Sequence, residues 1–143
     1  MKAVVCKAFG PPEALVVEEV PTPKLSSGQA LVDVKACGVN FPDTLIIEGK
    51  YQFRPDPPFS PGGEVAGVVA EVGEGVKNVK PGDRVVALMP WGGYAERVVT
   101  DAMRLVPIPD GVDFVPAAAT LTTYGTTYYA LADRTALQSG ETL

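Results

Sequence analysis

At 143 residues the chain is long enough for one ordinary domain, and with 46% hydrophobic residues it is neither a disordered tail nor a disulfide-stapled mini-protein. A net charge of −5 and the absence of any basic run argue against a phosphate-backbone binder, so nucleic acid is excluded as a partner. The chain has no histidine and only Cys6 and Cys37 as thiols, which removes Ser-His-Asp and Cys-His nucleophile systems, imidazole zinc sites and a closed cysteine zinc cluster.

In chain order, residues 1–8 and 15–20 read as strands, divided by the breaker Gly10-Pro11-Pro12. Pro21, Pro23 and Ser26-Ser27-Gly28 make the next connection. Residues 30–36 then alternate, with Leu31, Asp33 and Lys35 opposite Val32 and Val34. Asn40 is placed to cap a short helix, with Pro42 and Asp43 in its first turn and a stop at Gly49. Residues 52–61, rich in proline and aromatics, predict an irregular loop. Residues 64–72 form a β-branched strand in which Ala66 and Gly67 mark a close backbone approach. Further strands are expected at 84–88 and 94–100, after turns at Gly73-Glu74-Gly75 and Pro81-Gly82. Asp113 is placed to cap a short helix over 117–119. A second helix over 121–132 carries an apolar face of Leu121, Tyr124, Gly125, Tyr128, Leu131 and Ala132.

Short strands with a turn after each predict a mainly β fold with a few short helices, a small barrel or sandwich rather than βαβ units. The longest apolar run, 65–70, is far too short to span a membrane, and no secretory signal precedes Cys6. A cytoplasmic protein with reduced thiols is therefore expected. Ser139-Gly140-Glu141-Thr142-Leu143 reads as a turn entering a strand, and on that reading the chain is the front part of a longer protein.

The sequence holds one GxG, Gly73-Glu74-Gly75, with Asn78 where a third glycine would stand and Pro81-Gly82 where a helix should begin; a hairpin turn fits better than a phosphate cradle. Glu18 and Glu19 fall on opposite faces of a strand and act as a solvated edge. Glu64 opens an apolar strand after Pro61-Gly62-Gly63, and is either buried with a partner or placed at a site. Asn40, Asp43, Tyr51, Glu64 and Thr126 make up the remaining polar cluster. Each also has a plain structural reading: Asn40 as an N-cap, Tyr51 as a loop wall, Thr126 as a helix residue.

Four motifs in order give these residues a context: Ala36-Cys37-Gly38-Val39-Asn40-Phe41-Pro42-Asp43, Glu48-Gly49-Lys50-Tyr51, Pro61-Gly62-Gly63-Glu64-Val65-Ala66-Gly67-Val68-Val69, and Lys80-Pro81-Gly82-Asp83-Arg84-Val85. Over essentially its whole length the chain resembles the amino-terminal GroES-like domain of medium-chain dehydrogenases/reductases, in the zinc-independent quinone oxidoreductase branch. The resemblance implies a GroES-like, partly open β-barrel over 1–120. It also implies a linker helix and the start of an absent Rossmann domain over 121–143. In the zinc enzymes of the superfamily a cysteine stands at the position of Asn40 and a histidine at that of Gly63, so the resemblance implies no metal site here.

The implied activity is hydride transfer from NADPH to a quinone or an activated alkene. Asn40 and Tyr51 are then the catalytic residues, and Asn40 and Thr126 contact the cofactor. Some quinone reductases carry a second tyrosine at the position of Leu45, which makes one side of this pocket more apolar. The resemblance further implies a small-molecule substrate, a homodimeric full-length protein and an inactive isolated domain. A stand-alone GroES-like protein-binding module is the competing reading.

Overall fold

The computed structural model describes every residue except Ala136 and Leu143. Among the described residues, seven strands form two sheets. A two-stranded antiparallel ribbon pairs β1 (Lys2–Val5) with β2 (Val16–Glu19). The main sheet has the order β6-β3-β4-β5-β7, built from β3 (Gln29–Gly38), β4 (Glu64–Val72), β5 (Arg84–Leu88), β6 (Arg97–Asp101) and β7 (Leu105–Pro107). All its pairings are antiparallel, and β6 and β7 remain its two edges, so the sheet curls without closing. Bridges from Ala3 to Ala95 and from Cys6 to Phe59 fasten the ribbon to the rest.

The core sits where β4 and β5 alternate. Val65, Val69, Val85 and Ala87 face one cluster with Val32, Val98 and Leu105. Ala66 and Val86 face the other side, against Ile108, Ala117 and Ala118. Burial of both faces explains why β4 reads as a continuous apolar run. In β3 the expected simple alternation breaks: Leu31 and Val32 are both buried, because the pairing with β4 shifts register between them and again between Val34 and Ala36. Gly67 lies opposite Val34, where any side chain would overlap the Asp33 carbonyl, which is the close approach the sequence signalled.

The remaining elements are helical. α1 (Phe41–Ile47) follows β3 directly, α2 (Phe114–Ala117) packs on the sheet, and α3 (Leu121–Tyr128) leads into a π-helical turn at Tyr129–Arg134. The predicted helix over 121–132 thus keeps α-helical form only to Tyr128. Its apolar face is not packed: Tyr124 and Tyr128 are 71% and 69% exposed, and only Leu121 joins the core beneath α2. Ser139 and Gly140 form the expected turn, with Gly140 at φ 91°. Glu141 and Thr142 carry no strand pairing, and the end of that expected strand, Leu143, lies outside the described residues. The 94–100 strand begins only at Arg97, since Tyr94 and Ala95 turn aside to bond the ribbon.

The candidate active-site cleft

The cleft forms where β3 ends and α1 begins. Asn40 stands at the N-cap of α1 with extended backbone, φ −121° and ψ 154°. Asp43, three residues on, turns back so that its Oδ2 accepts the Asn40 N–H at 2.8 Å. The same Oδ2 accepts the Tyr94 hydroxyl at 3.0 Å. Asp43 is buried, so these two donors replace the water that its carboxylate has lost. Burial, followed by the neighbouring Asp43 charge, pushes the Tyr94 phenol well above its ordinary range, so it serves as a donor and never as a base.

Glu64 opens β4 directly opposite Gly38 and is fully buried. No ammonium or guanidinium meets it among the described residues; two N–H donors do. Its Oε2 accepts from Asn40 Nδ2 at 3.2 Å, and its Oε1 accepts from the Thr122 backbone N–H at 3.0 Å. Thr122 lies in the first turn of α3, where backbone amides have no partner within the helix and the helix dipole favours a negative charge. Gly38 makes the meeting possible. A Cβ there would come within 2.6 Å of the Ala118 carbonyl oxygen and 3.0 Å of Glu64 Oε2.

Around this knot lies a cleft of about 150 Å³, walled by Asn40, Pro42, Asp43 and Ile46 from α1 and its cap, Tyr51 and Phe53 from the loop, Gly63, Met89 and Pro90 from the sheet side, and Thr122 from α3. Tyr51 packs its ring at 5.9 Å from Phe53 and rests on the Cys6–Ile46–Ile47–Phe59 cluster. Its hydroxyl has no hydrogen-bond partner among the described residues, and neither does the Thr122 hydroxyl. The neighbouring Thr123 and Thr127 hydroxyls are spent on the Ala119 and Thr123 carbonyls. Two free hydroxyls, one carboxamide and the Asp43 carboxylate therefore border a slot otherwise walled by apolar residues. Such a slot suits a flat ring bearing an oxygen or an amide.

Of the residues singled out in the sequence, Asn40, Asp43 and Tyr51 share this cleft, and Glu64 lies directly behind it. Thr126 is one helical turn beyond Thr122, exposed, and not part of the cleft wall. Leu45 is half-buried away from the wall, and Ile46 takes its place. Thr122 and Tyr94 are additions that the sequence reading did not make. For Thr122 the available signal was its spacing of one helical turn before Thr126. Gly73-Glu74-Gly75 lies in the β4–β5 connection, where the Glu74 carbonyl accepts from Gly28 N–H and Ser27 Oγ. Its backbone is committed to holding the loop, and it opens no helix that could cradle phosphate.

An open antiparallel sheet with a helix-capped polar cleft at one end is a GroES-like domain. The comparisons agree: residues 26–110, more than half of the chain, match the alcohol dehydrogenase GroES-like domain, and the chain belongs to that family. It is 42% identical over 142 residues to quinone oxidoreductase-like protein 2 of Bos taurus, covering 99% of this chain and 40% of that protein. Among solved structures, a probable oxidoreductase from Mycobacterium abscessus matches at a TM-score of 0.93 and 45% identity, over 99% of this chain and 45% of that one. Quinone oxidoreductase of Escherichia coli, solved in complex with NADPH, matches at a TM-score of 0.87 and 35% identity, over 92% of this chain and 40% of that one. The chain thus spans less than half the length of these relatives.

Proposed function

We propose that this chain is the substrate-side domain of a longer, zinc-free, NADPH-dependent reductase that transfers hydride to a quinone or an enone. The observation that carries the proposal is the cleft itself. Asn40, Tyr51 and Thr122, brought from three separate elements, surround one slot in a fold whose relatives include quinone oxidoreductases.

NADPH, when bound, supplies the hydride. The cleft fits the nicotinamide end of such a cofactor, whose flat ring and carboxamide match the apolar walls and the free polar groups. Nothing in the 73–75 loop fits its pyrophosphate, which on this reading is held by the part of the protein beyond residues 1–120. Asn40 orients a ring or carbonyl by hydrogen bonding, and Thr126 extends the same helical edge one turn further toward the cofactor. Tyr51, with its hydroxyl unspent, donates a hydrogen bond or proton to the oxygen that gains charge. An amide at Asn40 and no side chain at Gly63 leave no thiolate or imidazole for a catalytic zinc.

The division of labour follows: 1–120 as catalytic domain, and 121–143 as linker and start of a nucleotide domain. No helix among the described residues is long and apolar enough to cross a membrane, and both thiols are free, which supports a cytoplasmic enzyme acting on small molecules. A homodimer of the whole protein completes the reading.

The test is NADPH consumption by the full-length protein after chelator treatment, against panels of quinones and enones. Turnover that survives chelation and falls on Tyr51→Phe with the fold intact supports the proposal. Turnover that needs added zinc, or none with any acceptor, contradicts it.

A further inference from the structure

The reductase reading leaves Glu64 without a role, although it is a fully buried carboxylate with no cation against it among the described residues. We propose that Glu64 is a positioning residue: it fixes which way round the Asn40 carboxamide sits, and it ties that carboxamide to the α3 wall of the cleft. Only the last experiment below depends on the reductase reading.

Both groups that reach Glu64 are donors, Asn40 Nδ2 at 3.2 Å and the Thr122 backbone N–H at 3.0 Å. The residue between them must accept at both ends and donate at neither, which a carboxylate does and a carboxamide cannot. Glutamine would keep the shape and lose this symmetry. The Thr122 N–H is backbone and cannot turn, so the amide nitrogen of a glutamine would face Asn40. Asn40 would then rotate its carboxamide by half a turn to bring Oδ1 inward, because two facing N–H groups beside a fully buried side chain are costly. Whichever atom Asn40 presents to the cleft would be exchanged for its opposite.

The site is built for this contact. A Cβ on Gly38 would lie 3.0 Å from Glu64 Oε2 and 3.3 Å from Asn40 Nδ2, so the missing side chain is what leaves the space. The link also crosses the fold. Glu64 lies 24 residues from Asn40 and 58 from Thr122, so one carboxylate sets the distance between the cap of α1 and the first turn of α3.

The first experiment follows the side-chain amide of Asn40 by NMR in the 143-residue chain, with its signal assigned by loss in Asn40→Asp. In the wild type one Nδ2 proton should be shifted downfield and exchange slowly. In Glu64→Gln that proton should lose its shift and exchange at least about tenfold faster. Unchanged Asn40 signals in Glu64→Gln would overturn the proposal.

The second experiment guards against a variant that merely folds poorly. Asn40→Asp sets two carboxylates face to face and should lower the melting temperature, and adding Glu64→Gln should recover it by restoring a donor–acceptor pair. Additive losses would overturn the pairing.

The third uses the full-length protein. Glu64→Gln should lower kcat about tenfold or more, with a smaller change in KM and an unchanged melting temperature. If the NMR signature moves and turnover does not, positioning stands and the reductase role of the cleft falls. If turnover drops without any NMR change, the positioning role falls.

Discussion

The β3–β4 seam and helix α3 are held by opposite means. Along the seam Ala30, Val32, Val65, Ala66 and Val69 are all essentially inaccessible, and an antiparallel ladder with two register shifts joins the strands. In α3 no residue is buried, and beyond Leu121 its one hydrogen bond across the fold among the described residues is the Thr122 amide on Glu64. Apolar area stabilises the first at about 25 cal/mol per Å² removed from water. The second depends on a single hydrogen bond and the charge at a helix end. The helix that supplies Thr122 to the cleft wall is thereby fixed near its start and left open elsewhere.

The largest expected effect joins both regions. Gly38→Ala drives a Cβ into the Ala118 carbonyl and into Glu64, neither of which can move without disturbing the sheet or α2. A loss of about 3 kcal/mol in urea unfolding is expected, at the upper end for an overfilled core. Val69→Ala empties the seam without touching the cleft, and should cost roughly 2 kcal/mol from lost burial and the residual cavity. Near-equal midpoints for Val69→Ala and wild type would mean that the seam is not the source of stability.

Tyr94→Phe removes one of the two donors on buried Asp43 and should cost about 1–2 kcal/mol, measured in the same way. The smallest effect belongs to the open helix. Tyr124→Ser should change stability by less than about 0.5 kcal/mol, because the ring is 71% exposed. A large loss there would show that α3 is packed in solution.

Alkaline pH sharpens the same contrast. Burial, reinforced by the Asp43 charge, pushes the Cys37 thiol up to about 12 from an ordinary 9.0. The folded state therefore keeps the proton that the unfolded chain releases. The stability from this group is whole below about pH 9 and is lost progressively as pH rises toward 12. Unfolding free energy followed from pH 8 to 11 should fall, and native Cys37 should resist alkylation throughout pH 8 to 9. Rapid modification of Cys37 in the folded protein would contradict its half-buried, uncharged state.

Much of the β domain was legible because its signals are local. The Gly-Pro breakers, the β-branched run at 64–72 and the Asn40-Phe41-Pro42-Asp43 start of α1 each act through neighbours in sequence, and each lies where expected. The open rather than closed sheet is likewise the GroES-like form that the ordered motifs implied. What escaped depends on distant partners. The shifts in β3 arise from its register with β4, not from its own alternation. The apolar stripe of α3 was visible, but periodicity alone cannot say whether a stripe is covered. The sequence alone leaves Glu64 either partnered or placed at a site. It turned out to be partnered immediately behind a candidate site, and Thr122, 58 residues away, could not be seen from the strand that holds Glu64.

The cleft turns on that one bond, and residue-level amide hydrogen exchange of the 143-residue chain tests it most directly. An amide in the first turn of a helix has no partner within the helix and normally exchanges freely. Here the Thr122 N–H should instead be protected to a degree approaching the β3–β4 ladder, and more strongly than Thr123 beside it. Exchange of Thr122 as fast as its first-turn neighbour would show that Glu64 does not hold the helix, and the cleft assembled around that contact would not stand as described.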